Sequence, residues 1–431
     1  MFDYLYWVWY SLRCGAGSSW GAKLLDSFPG GALEIFGREF DAAEKIDGIP
    51  GKLLTRLNDK DLDPARRVIE TCMNKNIRII PCDSEDYPEK LKRIPDFPIV
   101  LYARGNIENL NERLSVAVVG TRKMTDYGKH STFEIVRQLC PYNTVIVSGA
   151  AYGIDSAANR TALFFGASTI AVLGSGVDVP YPAENADLIY EIANRGLLLS
   201  EYIPGTHPNG SNFPTRNRII SGLSDAVLVA EAPYKSGALI TASLSADQGR
   251  KVYAIPGGIF NVNCAGTNHL IQSGAKMCLC AGDILSDFAG TYKLDIDKDM
   301  LVSERYRRYE HGKNTVPKLP DLESVQFPGK AEAPSSDSSD KNDENNLKVE
   351  SSDEKIVQAS ESDVEKRQKI YEGLTEQERI VFDAMPDGYA VSADNLVSTG
   401  LSTADIMSTL TLLELCSAVE SIAGGLFKKI I

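Results

Sequence analysis

Apolar residues in the middle of the chain occur in short runs that end on glycine and alternate with longer amphipathic segments. The clearest run, residues 116–119, ends at Gly120 and precedes a segment at 126–140 whose apolar residues have helical spacing. The same pattern recurs at 145–149 and 169–174. Continuous apolar runs are typical of strands that helices cover on both faces. The pattern therefore predicts an α/β fold with a doubly wound parallel sheet.

The three glycine turns should line one crevice, because the carboxyl ends of parallel strands meet at one edge of a sheet. Backbone N–H groups and helix amino termini at such an edge favour an anion. The first turn is Gly120-Thr121-Arg122, where glycine allows close approach and a guanidinium can clamp a phosphate. The next two turns add these candidates: Ser148, Gly149, Gly153, Asp155, Gly174 and Ser175. Asp155 suits a structural role at a helix start as well as a binding role.

A further candidate segment begins at Phe213 and contains Arg216-Asn217-Arg218. Pro214 is expected to start a helix, which places Arg216 and Asn217 in its first turn. Cations are unfavourable there unless an anion is near, so the pattern favours anion binding.

Two other interpretations bear on the same region. The arginines could instead bridge to carboxylates such as Glu201 or Glu231, in which case they would be structural. Ser236 and Gly237 lie at another predicted helix start, which suits a phosphate.

The segments before the sheet region predict helices and then a sheet edge. Residues 1–82 have helical apolar spacing and two glycine turns, at 15–17 and 46–51. Such turns either join helices, with glycine at positive φ, or present amides to a phosphate. Short strands near residues 77–80 and 98–102 are interrupted by proline and fit an edge extension of the main sheet. We expect a sheet domain over residues 83–290.

The carboxyl-terminal third changes character. Residues 291–369 mix charge, Ser, Asn and Pro without periodicity, which predicts a disordered acidic linker. Residues 370–431 regain a pattern of three short helices and a hairpin, which outlines a winged helix-turn-helix domain. The predicted elements are helices at 375–384, 392–398 and 402–415 and a hairpin at 418–430. This domain is acidic and its third helix has no basic residue, which favours a protein-contact or structural role over DNA reading.

Charge is unevenly distributed along the 431 residues, whose formal net charge is −13. Residues 331–365 contain eleven acidic residues against three lysines, so one polar tract carries much of the excess. The proposed crevice is different, because cationic residues cluster near its loops. They are Arg122, Lys123, Lys129, Arg160, Arg216, Arg218 and Lys235.

Several classes of function lack support in the sequence. The eight cysteines are scattered, and the Cys278-x-Cys280 pair has no partners that complete a zinc site, so we expect no metal and a reducing, cytoplasmic location. No run reaches membrane-spanning length, and residues 1–12 lack the basic start of a signal peptide. Neither a P-loop nor a complete dinucleotide fingerprint is present, which predicts no cofactor. The paired carboxylates Asp155 and Asp178 have no evident substrate, so we expect no enzyme.

Taken together, these motifs resemble the DNA-processing protein A family, also called DprA or Smf. The resemblance rests on VAVVGTR, SGAAYGID, TIAVLGSGVDVPYP, the Ser200-Glu201 pair, FPTRNRIISGLS, EAPYKSGALITA and GTNHLIQSGA, in order over residues 115–283. It implies an extended Rossmann-like domain, a helical N-terminal domain that is SAM-like or helix-hairpin-helix-like, and a C-terminal winged helix. It also implies a homodimer, formed through the Rossmann-like domain, that binds and protects single-stranded DNA and loads the RecA recombinase in natural transformation.

The resemblance also assigns roles to residues. Arg122 is similar to the family arginine that contacts the DNA backbone, the glycine turns line the pocket, and residues 216–218 match an RNR motif beside it. One position departs from the family, since Asn159 stands where many members have histidine, and Asn159 cannot become cationic.

Three hypotheses follow. The first is a recombination mediator that holds single-stranded DNA in the crevice. The second is an enzyme, a Rossmann-like nucleotide hydrolase or phosphoribohydrolase, with Asp155 and Glu231 as candidates for the chemistry. The third is a protein-interaction adaptor that works through its acidic winged helix.

Overall fold

A computed structural model describes a large N-terminal unit and parts of a C-terminal unit. The described residues are 3–41, 46, 48–292, 294, 296, 319–320, 375–385, 391–392, 396, 401, 405–406, 408–410, 413, 418–422 and 426–429. The chain divides into two compact units, Met1–Ala331 and Glu332–Ile431. Within the described ranges, no helix is both long enough and apolar enough to cross a membrane.

Five helices open the first unit, as the apolar spacing of residues 1–82 predicts. They are α1 (Asp3–Cys14), α2 (Ser19–Leu25), α3 (Gly31–Gly37), α4 (Gly51–Leu57) and α5 (Asp63–Asn74). Their large side chains, among them Trp9, Tyr10 and Leu54, are fully buried and belong to the same hydrophobic cluster as one face of the sheet. The prediction of helices is confirmed, whereas their assignment to a SAM-like domain remains a prediction.

A nine-stranded sheet forms the centre of this unit. The strands are β1 (Arg78–Pro81), β2 (Val100–Gly105), β3 (Ser115–Val119), β4 (Val145–Ser148), β5 (Ser168–Val172), β6 (Leu197–Ser200), β7 (Ala226–Val229), β8 (Lys251–Ala254) and β9 (Lys276–Met277). Their order is β1-β2-β6-β5-β4-β3-β7-β8-β9. In this order across the sheet, the seven strands from β6 to β9 all pair in parallel. At the other edge, β2 pairs antiparallel with β6, and β1 pairs antiparallel with β2. The predicted parallel sheet and its edge extension are both confirmed.

Helices cover both faces of the sheet, which explains why its strands are continuously apolar. They are α6 (Asp126–Leu139), α7 (Ile154–Phe164), α8 (Ala186–Arg195), α9 (Asn212–Gly222), α10 (Gly237–Asp247), α11 (Ala265–Gln272), α12 (Gly282–Leu285) and α13 (Ala289–Tyr292). Alternate residues of β3 point to opposite faces: Ala117 and Val119 join one hydrophobic cluster, and Val116 and Val118 join the other. Both faces are therefore packed.

The position of β3 locates the crevice. Its neighbours are β4 and β7. The strands β3 to β6 follow one another toward one edge of the sheet, and the strands β7 to β9 follow one another toward the opposite edge. Such a reversal of strand order opens a crevice at the carboxyl ends of the strands, where ligands of open α/β sheets bind. The predicted glycine turns after β3, β4 and β5 all lie at this end.

The second unit contains one described helix and a small sheet. The helix α14 (Glu376–Ala384) starts with a capping box between Thr375 and Glu378. Strands β10 (Val391–Ser392), β11 (Val419–Ile422) and β12 (Leu426–Lys429) form an antiparallel sheet in the order β10-β12-β11.

These elements test only part of the sequence prediction for residues 370–431. The antiparallel pairing of β11 and β12 confirms the predicted hairpin at 418–430. The predicted helices at 392–398 and 402–415, like the predicted linker at 291–369, fall largely outside the described residues. The winged-helix assignment remains a prediction.

Candidate functional site

A cavity of about 620 Å³ opens at the carboxyl ends of β3 and β7. Its walls come from the loop after β3, the first turn of α7, the helix α9, and the loop between β7 and α10. The charged side chains in its lining are Arg122, Asp155, Arg216 and Lys235. Arg122 and Lys235 are exposed, whereas Asp155 and Arg216 are buried, so cations dominate the accessible part of the cavity.

Residues 120–123, which we term the lip, are held by backbone hydrogen bonds on two sides. Thr121 N donates to Glu231 O at 2.7 Å, and Thr121 O accepts from Ile154 N at 3.2 Å. Gly120 is required because a Cβ there would lie 2.5 Å from Ile154 Cγ1. The exposed guanidinium of Arg122 lies 5.2 Å from the centre of the Phe213 ring. The lip therefore presents a cation from a fixed backbone.

The buried carboxylate of Glu231 supports the lip. It accepts hydrogen bonds from Thr125 N at 2.8 Å and Thr125 Oγ1 at 2.6 Å. Thr125 is the N-cap of α6, and its hydroxyl also accepts from Gly128 N. Glu231 does not line the cavity, and its oxygens are directed to the start of α6.

The helix α9, which we term the floor, differs from the sequence prediction at its start. The helix begins at Asn212 with Ser211 as its N-cap, so Pro214 does not start it and Arg216 is its fifth residue. The expectation that Arg216 and Asn217 lie in the first turn was therefore wrong. Proline tolerates the whole first turn of a helix, because no N–H is needed there, and so it does not fix the first residue.

Arg216 is only 4% exposed. Its Nη1 donates to Gly149 O at 3.0 Å and to Val172 O. Gly149 directly follows β4, and Val172 is the last residue of β5. Burial lowers the pKa of the guanidinium to about 10, an effect that the negative charge of Asp155 opposes. Arg216 thus satisfies strand-end carbonyls that would otherwise be buried without a partner.

Asp155 lies beside Arg216 in the first turn of α7. Its Oδ2 accepts from Gly149 N at 3.1 Å. Burial raises its pKa, and the nearby Arg216 opposes that shift. A Cβ on Gly149 would lie 2.5 Å from Arg216 Nη2 and 2.6 Å from Asp155 Oδ2, so only glycine fits between the two charges.

Arg218 points away from the cavity. Its Nη2 donates to both oxygens of Glu201 at 2.8 Å, and its Nε lies 3.3 Å from Asp96 Oδ2. The interpretation that the arginines bridge to carboxylates is thus confirmed for Arg218 and Glu201. Because both groups are charged, this contact is stronger than a hydrogen bond between neutral groups.

The Gly15-Ala16-Gly17 turn also meets Glu201. The backbone N–H of Gly17 lies close enough to Glu201 to lower the pKa of that carboxyl, although burial raises the pKa overall. Gly17 has a φ of +75°, and a Cβ there would collide with Thr215 Cγ2 on the floor. One amide of this turn is therefore directed into the protein, and the glycine serves a close contact between the N-terminal helices and α9.

The remaining predicted residues divide into those that line a cavity and those that support it. Asn217, Ser236 and Gly237 line the main cavity, and Ser236 also caps α10 by accepting from Ala238 N at 3.3 Å. Gly149 and Gly174 line a small adjoining recess with Arg122. The others support the cavity without lining it. The buried hydroxyls of Ser148 and Ser175 donate to Val118 O and Val179 O, respectively. Gly153 has a φ of +76°.

Two aromatic residues at the cavity were not predicted. Tyr181 and Phe213 line both the cavity and the recess, and their ring centroids are 5.4 Å apart. Each of them directly precedes a proline. The only feature of the sequence that could have indicated their place in the cavity is an aromatic residue beside a candidate loop. An aromatic residue in such a place is equally typical of a core position.

Asn159 and Asp178 take structural roles. Asn159 is fully buried between α7 and the sheet, where its Nδ2 donates to Thr169 Oγ1 at 2.7 Å, and it does not line the cavity. Asp178 accepts from Lys75 Nζ at 2.6 Å and from Gly205 N at 2.8 Å. The part of the chain that the structure describes holds no group of three or more His, Cys, Asp or Glu side chains placed to bind a metal ion.

Comparison with known proteins shows what the chain resembles. Residues 78–289 match the family model described as DNA recombination-mediator protein A. The chain is 41% identical over 221 residues to the DNA processing protein DprA of Bacillus subtilis, a match that covers 51% of this chain and 74% of that protein. It is 46% identical over 202 residues to DprA of Streptococcus pneumoniae, covering 47% of this chain and 71% of that protein.

A solved structure gives the same result for the fold. The X-ray structure of DNA processing protein A from Streptococcus pneumoniae superposes with a TM-score of 0.57 at 34% sequence identity. The superposition covers 67% of this chain and 99% of that one. The α/β Rossmann-like fold is therefore common to both.

Proposed function

The chain belongs to the DNA-processing protein A (DprA/Smf) family, and from that premise we propose that it is a cytoplasmic recombination mediator that binds single-stranded DNA. In this proposal the protein protects incoming DNA and loads the RecA recombinase onto it during natural transformation. The loading step and the homodimer rest on the family resemblance, and the DNA-binding step rests on the cavity as well.

The observation that carries the proposal is the combination of exposed cations and aromatic rings in one cavity. Arg122 and Lys235 lie on the loops that follow the neighbouring strands β3 and β7. Tyr181 and Phe213 line the space near Arg122. Proteins that bind single strands combine a basic groove for the backbone with aromatic side chains on which bases stack. A cavity supports single-stranded DNA over a duplex, because only unpaired bases can enter it.

The roles of the residues follow from their burial. Arg122 is free to approach a phosphate, since its backbone is fixed and its guanidinium is exposed. The start of α10 at Ser236 and Gly237 adds backbone N–H groups to the cavity lining. Arg216 and Asp155 keep the wall in shape and leave the contact with DNA to the exposed groups. A homodimer would place two such cavities on one strand and raise its affinity through effective concentration.

The proposal is tested by Arg122→Ala, with Arg66→Ala as the matched control. Arg66 is an exposed arginine on α5 that pairs with Asp63 and does not line the cavity. We expect Arg122→Ala to weaken binding of a labelled single-stranded oligonucleotide by about 10-fold or more and to reduce the salt slope by about one. Fluorescence anisotropy over a range of salt concentrations measures both. Equal binding by the two variants would overturn this assignment of the cavity.

For the alternative of a nucleotide hydrolase or phosphoribohydrolase, one of the two candidate catalytic carboxylates, Asp155, lies at the cavity, whereas Glu231 does not. Asp155 lines the cavity and burial raises its pKa, which is a common property of catalytic carboxyl groups. Release of base or phosphate from a panel of nucleotides, abolished by Asp155→Asn, would favour the enzyme over the mediator.

A further inference from the structure

The connection between β8 and α11 exposes three apolar side chains. Ile259 is 86% exposed, Phe260 94% and Val262 74%, which makes them the most exposed large apolar side chains among the described residues. We term residues 259–262 the apolar tip. Burial of each side chain would be favourable, so their common exposure in one short segment marks a surface that binds something.

The apolar tip is presented by a fixed base. The side chain of Asn268 forms two hydrogen bonds with Gly257, accepting from its N–H at 3.1 Å and donating to its carbonyl at 3.0 Å. Tyr127 donates its hydroxyl to Pro256 O at 2.5 Å. Asn261 accepts from Asn263 N at 3.0 Å and caps a short 3-10 helix. A base with these contacts holds the tip in place, which lowers the entropy cost of binding.

The tip adjoins the basic cavity. Strand β8 is the neighbour of β7, so the loops that follow both strands lie at the same edge of the sheet. The start of α11, which follows the tip in the chain, touches the loop after β7, since Gly266 N donates to Ala232 O at 2.8 Å and a Cβ on Gly266 would lie 2.7 Å from Pro233 O. Pro233 lines the cavity together with Lys235. The apolar tip and the cationic rim thus lie at the same edge of the sheet.

We propose that the apolar tip is a second nucleic-acid subsite, in which Phe260 stacks on a base of a single strand whose phosphates are held at Arg122 and Lys235. This inference rests on the proposed function and extends it, because it adds a subsite outside the cavity. A base offers an apolar face next to a charged backbone, which matches an exposed ring next to a basic rim. A purely apolar partner would not make use of the cations beside the tip.

Two lengths of oligonucleotide separate the subsites. An oligothymidine of about 6 nucleotides can occupy the cavity alone, and one of about 20 nucleotides can also reach the tip. We expect Phe260→Ala to weaken binding of the long oligonucleotide about 5- to 100-fold and to leave the short one unchanged. Phe260→Trp, which keeps a stacking ring, should bind the long oligonucleotide as the original protein does. Since Phe260 is exposed, its replacement should leave the fold intact.

A spectroscopic readout checks stacking directly. 2-Aminopurine placed toward one end of the long oligonucleotide should lose fluorescence on binding the original protein and Phe260→Trp, and should keep it on Phe260→Ala. No difference between the three proteins would overturn the stacking assignment.

The outcomes distinguish this inference from the proposed function. If Arg122→Ala weakens both oligonucleotides and Phe260→Ala weakens neither, only the tip subsite fails. If neither variant weakens either oligonucleotide, the DNA-binding proposal fails as well. If Phe260→Ala lowers the mass of the DNA-free protein in sedimentation, the tip is a contact between copies of the chain and the subsite is overturned.

Discussion

The lip and the floor of the cavity use the same residue type for opposite purposes. On the lip, Arg122 is exposed and its backbone carries the fixed contacts. On the floor, Arg216 is buried and its side chain carries them, through Gly149 O and Val172 O. The guanidinium of Arg216 uses Nη1 and Nε within the protein, whereas the exposed guanidinium of Arg122 can offer its donors to a ligand. The difference indicates that one arginine of the site, Arg122, serves ligand affinity, whereas the other, Arg216, serves the stability of the fold.

The largest expected effect tests that separation directly. Arg216→Ala should lower the free energy of unfolding by about 3–5 kcal/mol, because it removes the buried cation nearest Asp155 and the donor to two backbone carbonyls. Arg122→Ala, its matched control on the lip, should change it by no more than about 0.5 kcal/mol. Denaturant unfolding measures both. Similar losses for the two variants would contradict the assignment of stability to the floor.

A second prediction concerns the contact between the lip and α7. Gly153 has a φ of +76°, and a Cβ there would collide with Thr121 O. Gly153→Ala should therefore cost about 3 kcal/mol and also weaken DNA binding, since it displaces the lip. Gly166 is the control, because its φ is +70° but nothing lies within 4 Å of its Cβ position.

In the control, Gly166→Ala should cost about 1 kcal/mol, the price of positive φ alone, without loss of DNA binding. Thermal unfolding and oligonucleotide anisotropy, run on both variants, separate the collision from the backbone strain. Equal costs for the two glycines would argue against a steric role for Thr121.

The smallest effect concerns an ion pair outside both regions. Burial alone would raise the pKa of Asp178, but hydrogen bonds from Lys75 and Gly205 N lower it overall. A lowered carboxyl pKa stabilises the fold above the usual value of about 4, and that contribution is lost as the pH falls through the lowered pKa.

Lys75 is half exposed, so Lys75→Met should cost only about 0.5 kcal/mol at pH 7. The difference from the original protein should narrow as the pH falls below about 4. Lys75→Arg, which keeps the charge, should show no difference at either pH. A difference that stays constant with pH would mean that the loss comes from packing and not from charge.

Most of the fold could be predicted from the sequence because its signals are local. Three central strands lead into glycine turns, the helices have regular apolar spacing, and proline marks the antiparallel edge. The cavity could be located as well, since the strand ends of a doubly wound sheet converge. Arg122, Ser236 and Gly237 were found in this way.

The burial of Arg216 could not be predicted, because it depends on partners far away in the chain. Gly149 O is 67 residues distant and Val172 O is 44. The carboxylate of Glu231 is likewise occupied by Thr125, 106 residues away. Proline suggested a helix start that is two residues late, since it fits several positions of a first turn. Local pattern thus indicates which residues are near the site, and long-range contacts decide which of them face the ligand.

The approach of the Gly17 turn to Glu201 and Thr215 affects how relatives of this chain can exchange segments. Glu201 is held by Arg218 from α9 and by the turn between α1 and α2, so the N-terminal helices and the floor share one carboxylate. A genetic crossover near residue 82 would combine the Gly15–Gly17 turn of one protein with the Glu201 carboxylate of another. Chimeras should therefore retain function only when the incoming turn carries a glycine that fits against Thr215.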